Sequence, residues 1–200
     1  MKLIVITAPE FIRDETLAIS SLFDAGLEIL HLRKPASSVD ELRNFLNQIP
    51  GNYLDRIVVH EHFSLKDEFH LKGIHLNRRN ALVPNGYTGH TSCSCHSLEE
   101  VEKKKDYFDY LFLSPIFDSI SKEGYSSNFS ENELKIASQN GVIDSKVMAL
   151  GGINYENIRK VEEMGFGGAA VLGHIWKPSS EIGVASVVDS YLKLKNSINI

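Results

Sequence analysis

The chain has little of what would point to an oxidising compartment, a membrane or a nucleic acid. Only two cysteines occur in 200 residues, Cys93 and Cys95. They stand two apart in what reads as a strand, where the side chains share a face but an extended backbone strains any bridge between them. With neither a disulfide framework nor a C-x-x-C pair, the expected location is the reducing cytoplasm. His96 lies beside them, but no second ligand cluster stands at zinc spacing. No apolar run approaches the roughly 18 residues needed to cross a bilayer. The first one, Leu3 to Ile6, gives way at once to Pro9, Glu10, Arg13 and Asp14, too soon for a signal peptide. Excess positive charge is also missing: the formal net charge is −5 and the pI near 5.9, which gives no electrostatic reason to bind nucleic acid. There is no linker, no low-complexity segment and no G-x-G-x-x-G after the first strand. At 42% hydrophobic and 24% charged, the expectation is one globular domain over residues 1–200.

What is present is a regular alternation. Short, β-branched, unbroken apolar runs suit strands buried on both faces: KLIVI (2–6), LEILHL (27–32), RIVVH (56–60), GIHL (73–76), YTGHTSC (87–93), DYLFLS (109–114), KVMAL (146–150) and GGAAVL (167–172). Helical patterns separate most of them. One opens at Asp14 as N-cap, carries an apolar stripe of Leu17, Leu22 and Phe23, and closes at Gly26. Others start at Ser38, at Ser97 with Glu100 in capping-box position, at Ser130 with Glu133 likewise, and at Asn154, and the last runs from Val184 to about Lys195. His62 and His70 read as residues of a surface helix. NRRNALVPNG after Leu76 is too short for a full helix, so one βα unit is shortened. Eight strands alternating with helices predict a compact (β/α)₈ TIM barrel, since such barrels run from about 200 residues upward. A doubly wound open sheet is the alternative.

In such a barrel the chemistry sits at the C-terminal strand ends. Those ends carry His31 and Arg33, His60 and Glu61, His75, Ser94 and His96, Ser114, Gly151 and Gly152, and Gly173 and His174. An imidazole titrates near neutral pH and shuttles protons, although a lone histidine is more often structural. LGGIN and VLGHIW set bare backbone ahead of helix N-termini, which suits a phosphate. Ser119, Ser121 and Lys122, on the loop after the sixth strand, then have an anion to close over.

The series LRKP, GIHL, SCHSLEEV, DYLFLSPIFDSISK, VMALGGIN and GFGGAAVLGHI, spread over residues 1–176, resembles the thiamine phosphate synthase and TenI superfamily of small (β/α)₈ barrels. The resemblance implies a thiazole phosphate held by the last two glycine loops, and one of two reactions. The synthase branch joins a pyrimidine diphosphate to the thiazole phosphate with Mg²⁺. The TenI branch rearranges a thiazole carboxylate phosphate tautomer without metal. The synthase pattern Gln-x-Arg-x-Lys is here His31, Arg33 and Pro35, with Lys34 adjacent; Asn-Asp is His60-Glu61; and Gly-Gln-x-Asp is Asn77-Arg78-Arg79-Asn80. The second Mg²⁺ carboxylate is thus absent, and Glu61 beside two arginines is a weak metal ligand.

Ser94, His96, Ser97, Glu99 and Glu100 match the TenI segment whose histidine moves the proton. His96 is therefore the expected catalytic residue, with Arg33 or Lys34 on the substrate carboxylate. His31, His60 and His174 are possible additions to the site. A TenI-like tautomerase with no cofactor is the first reading, and a divergent Mg²⁺-dependent synthase the second. A non-catalytic binder of phosphate ligands with a regulatory role is the third. The expected partner is a small thiazole phosphate, neither nucleic acid nor membrane, and the oligomeric state is open.

Overall fold

Alternation along the strands decides the architecture, because successive side chains of a strand point to opposite faces. The computed structural model describes residues 1–118, 129–176 and 183–198. Its strands are β1 Lys2–Ile6, β2 Ile29–Leu32, β3 Ile57–Val59, β4 Gly73–Leu76, β5 His90–Cys95, β6 Tyr110–Leu113, β7 Val147–Leu150 and β8 Gly168–Val171. Each pairs in parallel with the next, and β8 returns to pair with β1. The closed ring is a TIM barrel, and closure excludes the open sheet.

The buried apolar residues fall into two clusters that follow this alternation. Ile4, Ile6, Ile29, Val58, Tyr110, Phe112, Met148 and Ala170 fill the barrel interior. Val5, Leu30, Leu32, Val59, Ile74, Leu111 and Val147, from the opposite strand faces, pack under the helices. Each buried Leu, Ile or Val contributes roughly 1.5–3 kcal/mol by leaving water.

The helices are α1 Glu15–Asp24, α2 Val39–Leu46, α3 Leu65–Glu68, α4 Leu98–Lys104, α5 Glu131–Gln139, α6 Ile158–Glu163 and α7 Val184–Ile198. The serine caps are formed as the pattern predicts. Ser38 and Glu41 make a reciprocal box, and Ser97 and Ser130 accept from the backbone of Glu100 and Glu133, each at 3.2 Å. No helix joins β4 to β5, so the shortened unit is real, and no helix among the described residues is long and apolar enough to cross a membrane.

Several local expectations are corrected. Asp14 precedes α1 in a left-handed conformation and makes no side-chain cap; Glu15 instead accepts the Ile12 N–H at 3.3 Å. Leu17 faces solvent while Ala18, Ile19, Leu22 and Phe23 are buried, so the stripe lies one position further round the helix. His62 and His70 flank the single-turn α3 at positive φ rather than sitting within a helix. The fifth strand begins at His90, because the Tyr87 N–H closes a turn onto Pro84 and its hydroxyl donates to the His90 carbonyl. Asn154 caps a turn, and α6 starts only at Ile158. Cys93 and Cys95 are free and buried.

Candidate active site at the barrel mouth

His96 occupies the short connection between β5 and α4, where the Ser97 cap forces the chain to turn. Its backbone N–H donates to Glu100 Oε2 at 2.8 Å, so the glutamate expected to complete the cap holds the histidine in place instead. Its Nδ1 lies 3.1 Å from the Ser114 carbonyl and 3.4 Å from the Ser114 hydroxyl. A carbonyl only accepts, so Nδ1 carries the proton, and the lone pair is on Nε2 of an exposed ring. Nε2 has no protein partner among the described residues, which is the state required of a base.

Glu61 pairs with Arg79, and the charge of Arg33 feels both of them. One Glu61 oxygen accepts from Arg79 Nη2 and the other from the Lys34 backbone N–H, both at 2.9 Å. Burial lowers the Arg33 pKa from its ordinary value, the Arg79 charge adds to that, and Glu61 opposes it. The Arg33 backbone is pinned by Thr7, whose hydroxyl accepts its N–H at 2.9 Å, while its guanidinium has no hydrogen-bond or ion-pair partner among the described residues. Asn80, where a second carboxylate would stand, donates its amide to the His60 carbonyl at 2.8 Å.

These residues do not fit the Mg²⁺ that the synthase branch uses. Mg²⁺ takes octahedral oxygen ligands, commonly one or two carboxylates plus substrate oxygens. Here the Glu61 carboxylate is paired with a guanidinium, and the amide of Asn80 points its donor at a carbonyl.

Lys34 is not brought to the arginine. Its amine is 1% exposed, pairs with Glu15 at 2.6 Å, and donates to the Ala8 and Glu10 carbonyls at 2.9 and 2.8 Å. Phe11 and Phe45 flank it with ring centroids at 4.9 and 5.3 Å. Burial pushes the Glu15 carboxyl up and the Lys34 amine down, and each charge opposes the other's shift. All three donors of the ammonium are used, so none remains for a substrate carboxylate.

The two glycine loops differ in what they require. Gly151 and Gly152 adopt φ of +102° and +65°. A Cβ on Gly152 would stand 2.5 Å from the Asp118 carbonyl oxygen and 2.8 Å from Phe117, and one on Gly151 would stand 2.9 Å from Pro115 Cα. Close packing of the loop after β6 thus demands both glycines, alongside any ligand. Asn157 Nδ2 donates to the Gly152 carbonyl at 2.9 Å and fixes the turn. Gly173 and His174 follow β8, half-buried, with the His174 ring 5.5 Å from Tyr155. Ser119, Ser121 and Lys122 lie outside the described residues.

The feature the strand-end reading missed is a layer of histidines inside the barrel. His31 and His75 are 0% exposed and His60 is 4% exposed. His31 Nδ1 is 2.9 Å from His60 Nε2, and His31 Nε2 is 2.5 Å from the Tyr110 hydroxyl. His75 bridges Ser92 and Ser94, with 2.8 Å from Nδ1 to one hydroxyl and from Nε2 to the other. The His60 and His75 rings stack at 4.2 Å.

Burial holds all three imidazoles neutral. It drives His31 and His60 well below the usual range, with the neighbouring rings adding to it, and takes His75 to about 3 with help from the Arg33 charge. Burial also raises the Tyr110 phenol. One ring nitrogen from each of the three lies within 4.8 Å of those of the other two, near enough for a metal ion, but every nitrogen except His60 Nδ1 is already engaged in a hydrogen bond. The signal for this layer was the even spacing of inward positions on adjacent parallel strands, which sets these side chains at one height rather than at the rim.

Comparison with known proteins agrees with the barrel fold and identifies the family. The chain is 27% identical over 188 residues to a thiamine-phosphate synthase of Shouchella clausii, covering 87% of this chain and 88% of that one. It is 25% identical over 127 residues to a thiamine-phosphate synthase of Limosilactobacillus reuteri, 58% of whose length it spans. The crystal structure of a thiamine phosphate pyrophosphorylase from Bacteroides thetaiotaomicron superposes with a TM-score of 0.91 at 46% identity, over 100% of this chain and 98% of that one. A thiamine phosphate pyrophosphorylase from Pyrococcus furiosus, at 19% identity and a TM-score of 0.78, shares the fold. A family model described as thiamine monophosphate synthase matches residues 3–175. With nearly the whole barrel inside that match, the chain belongs to the thiamine monophosphate synthase family of enzymes.

Proposed function

We propose that this enzyme binds a thiazole phosphate at the C-terminal mouth of the barrel and moves a proton on it without a metal, as a TenI-like tautomerase. The observation that carries the reading is the state of Glu61: both oxygens are taken, one by Arg79 and one by the Lys34 N–H, with Asn80 in place of a partner carboxylate. Transfer of a pyrimidine group with loss of diphosphate needs the departing charge neutralised by a well-held ion. Proton transfer needs a base with an open lone pair, which His96 Nε2 supplies. In this reading the Gly151–Gly152 and Gly173 turns take the phosphate, and Arg33, whose guanidinium has no partner among the described residues, takes the carboxylate.

The test is incubation with the carboxylated thiazole phosphate tautomer in the presence of EDTA. Conversion should proceed, and His96→Ala should reduce it by about 10²-fold or more. Absence of conversion by the wild-type protein sinks the reading. The names of the relatives favour a second one, thiamine-phosphate synthesis. Mg²⁺-dependent release of diphosphate from a pyrimidine diphosphate and the thiazole phosphate is the result that would establish it.

A further inference from the structure

A base that takes a proton from carbon leaves an electron pair behind, and some group must hold that charge until the proton returns. His96 has one open nitrogen and cannot do both. We propose that His60 is a second catalytic residue of the mouth, whose neutral ring presents an Nδ1–H donor to the substrate atom on which negative charge collects while His96 carries the proton. The inference rests on the proton-transfer reading above.

The direction of the hydrogen bonds follows from one group. Tyr110 is 3% exposed, and the hydrogen bond that its hydroxyl makes runs to His31 Nε2 at 2.5 Å. A buried O–H without an acceptor is costly, so the phenol donates and His31 Nε2 accepts. His31 is neutral, so its one proton stands on Nδ1, which donates across 2.9 Å to His60 Nε2. His60 is neutral as well. With its Nε2 accepting, the proton of that ring is on Nδ1.

The surroundings fix where this donor points. The His60 backbone N–H donates to the Leu32 carbonyl at 3.1 Å, and its carbonyl accepts the Asn80 amide at 2.8 Å. The His75 ring stacks on the imidazole at 4.2 Å, and turning the ring would break that stack and the bond to His31. Nδ1 has no protein partner among the described residues, yet it is not sealed in. The side-chain nitrogens and oxygens that are both buried and unpartnered there are Asn77 Nδ2 and His90 Nε2. The 4% of His60 that remains exposed therefore includes Nδ1. The Arg33 and Arg79 charges both bear on the ring, so it belongs to the cationic side of the mouth, where Arg33 takes the substrate carboxylate in the reading above.

The step balances without a second proton carrier. The C–H bond breaks as its proton forms an N–H bond at His96 Nε2, and the electron pair passes into the conjugated system of the substrate. His60 Nδ1–H hydrogen-bonds the oxygen or ring nitrogen where that charge gathers and keeps its own proton. His96 then returns the proton to the second carbon. A neutral imidazole suits this role because it holds its proton more firmly than an imidazolium does, and a donor fixed in advance favours the charged state over the substrate. Tyr110 and His31 act only through His60 and are positioning residues.

The experiment compares His60→Leu, which removes the donor, with His60→Asn, whose amide nitrogen reaches the place of Nδ1. With the carboxylated thiazole phosphate tautomer as probe, His60→Leu should lose roughly 10²-fold in kcat with KM changed less, and His60→Asn should recover about tenfold of that loss. In Tyr110→Phe kcat should fall, and ¹⁵N-histidine spectra should show the His60 proton moving from Nδ1 to Nε2. A kcat of His60→Leu equal to that of the wild type, or a His60→Asn no faster than His60→Leu, overturns the proposal.

If the wild type does not turn over that compound, the tautomerase reading fails, and the spectra decide the donor alone. The free protein should carry the His60 proton on Nδ1, and added thiazole phosphate should move its resonance. A His60 protonated on Nε2, or a resonance unmoved by thiazole phosphate, overturns it.

Discussion

The Arg79 guanidinium and the Glu61 carboxylate meet at 2.9 Å, with the guanidinium half-exposed and the carboxylate 8% exposed. A cation that belongs to the chain therefore pairs with Glu61, and a divalent ion would have to displace it. Isothermal titration of Mg²⁺ into the protein should accordingly give no saturable signal at low millimolar concentration. Replacing Arg79 by Ala and Asn80 by Asp together frees Glu61 and adds a second carboxylate, and this double variant should acquire binding. Saturable Mg²⁺ uptake by the wild-type chain that Glu61→Gln abolishes would contradict the assignment.

Lys34 and Glu15 give a different outcome on substitution. Lys34→Met removes the partner of a fully buried carboxylate, and breaking such a pair from one side costs about 3–5 kcal/mol. Adding Glu15→Gln removes the orphan charge and should recover most of that loss. Urea unfolding midpoints check both. Because the amine is surrounded by protein groups, the folded fraction of Lys34→Met should keep the wild-type KM, and a KM rise of tenfold would instead place Lys34 in the substrate pocket.

The contrast between Arg33 and Lys34 shows how far the sequence carried. Strand identity was legible because buried parallel strands read as unbroken β-branched runs, and KLIVI and GIHL begin and end where β1 and β4 do. Which face a residue takes at a strand's end was not legible from type alone, since adjacent residues point oppositely and both are cations. That His96 stands just past the end of a strand was legible from where the fifth apolar run stops, whereas the hold of Glu100 on its backbone N–H was not. The histidine layer escaped because His31 and His60 were read as rim residues. Only closure of the barrel, a long-range event, turns them inward against Tyr110, 79 residues from His31 in sequence.

Gly152 tests the phosphate turn. At φ +65° with Asp118 and Phe117 against the place of a Cβ, alanine there adds left-handed strain of about 1–2 kcal/mol and forces the loop after β6 away. Gly152→Ala should therefore weaken binding of the thiazole phosphate by about tenfold or more, measured by titration calorimetry. The dephosphorylated thiazole should be affected less. Equal affinity of variant and wild type for the phosphate would remove this turn from the site.

The neutral histidines make stability depend on pH in a calculable direction. His31, His60 and His75 are held below their ordinary value of 6.5 by burial, His75 at about 3. Unfolded, each returns to about 6.5. Below that pH the unfolded chain binds protons that the folded chain does not, so stability is fully present above 6.5 and is lost as pH falls. Each histidine contributes a slope approaching about 1.4 kcal/mol per pH unit, and the three together about 4. Urea unfolding between pH 7 and 5 should show this decline well before most carboxylates titrate. His31→Gln withdraws one of the three protons, so its slope should be shallower by about a third, whatever its stability at pH 7. A wild-type curve flat from pH 7 to 5, or an unchanged slope in the variant, would mean that the imidazoles already carry charge inside the barrel.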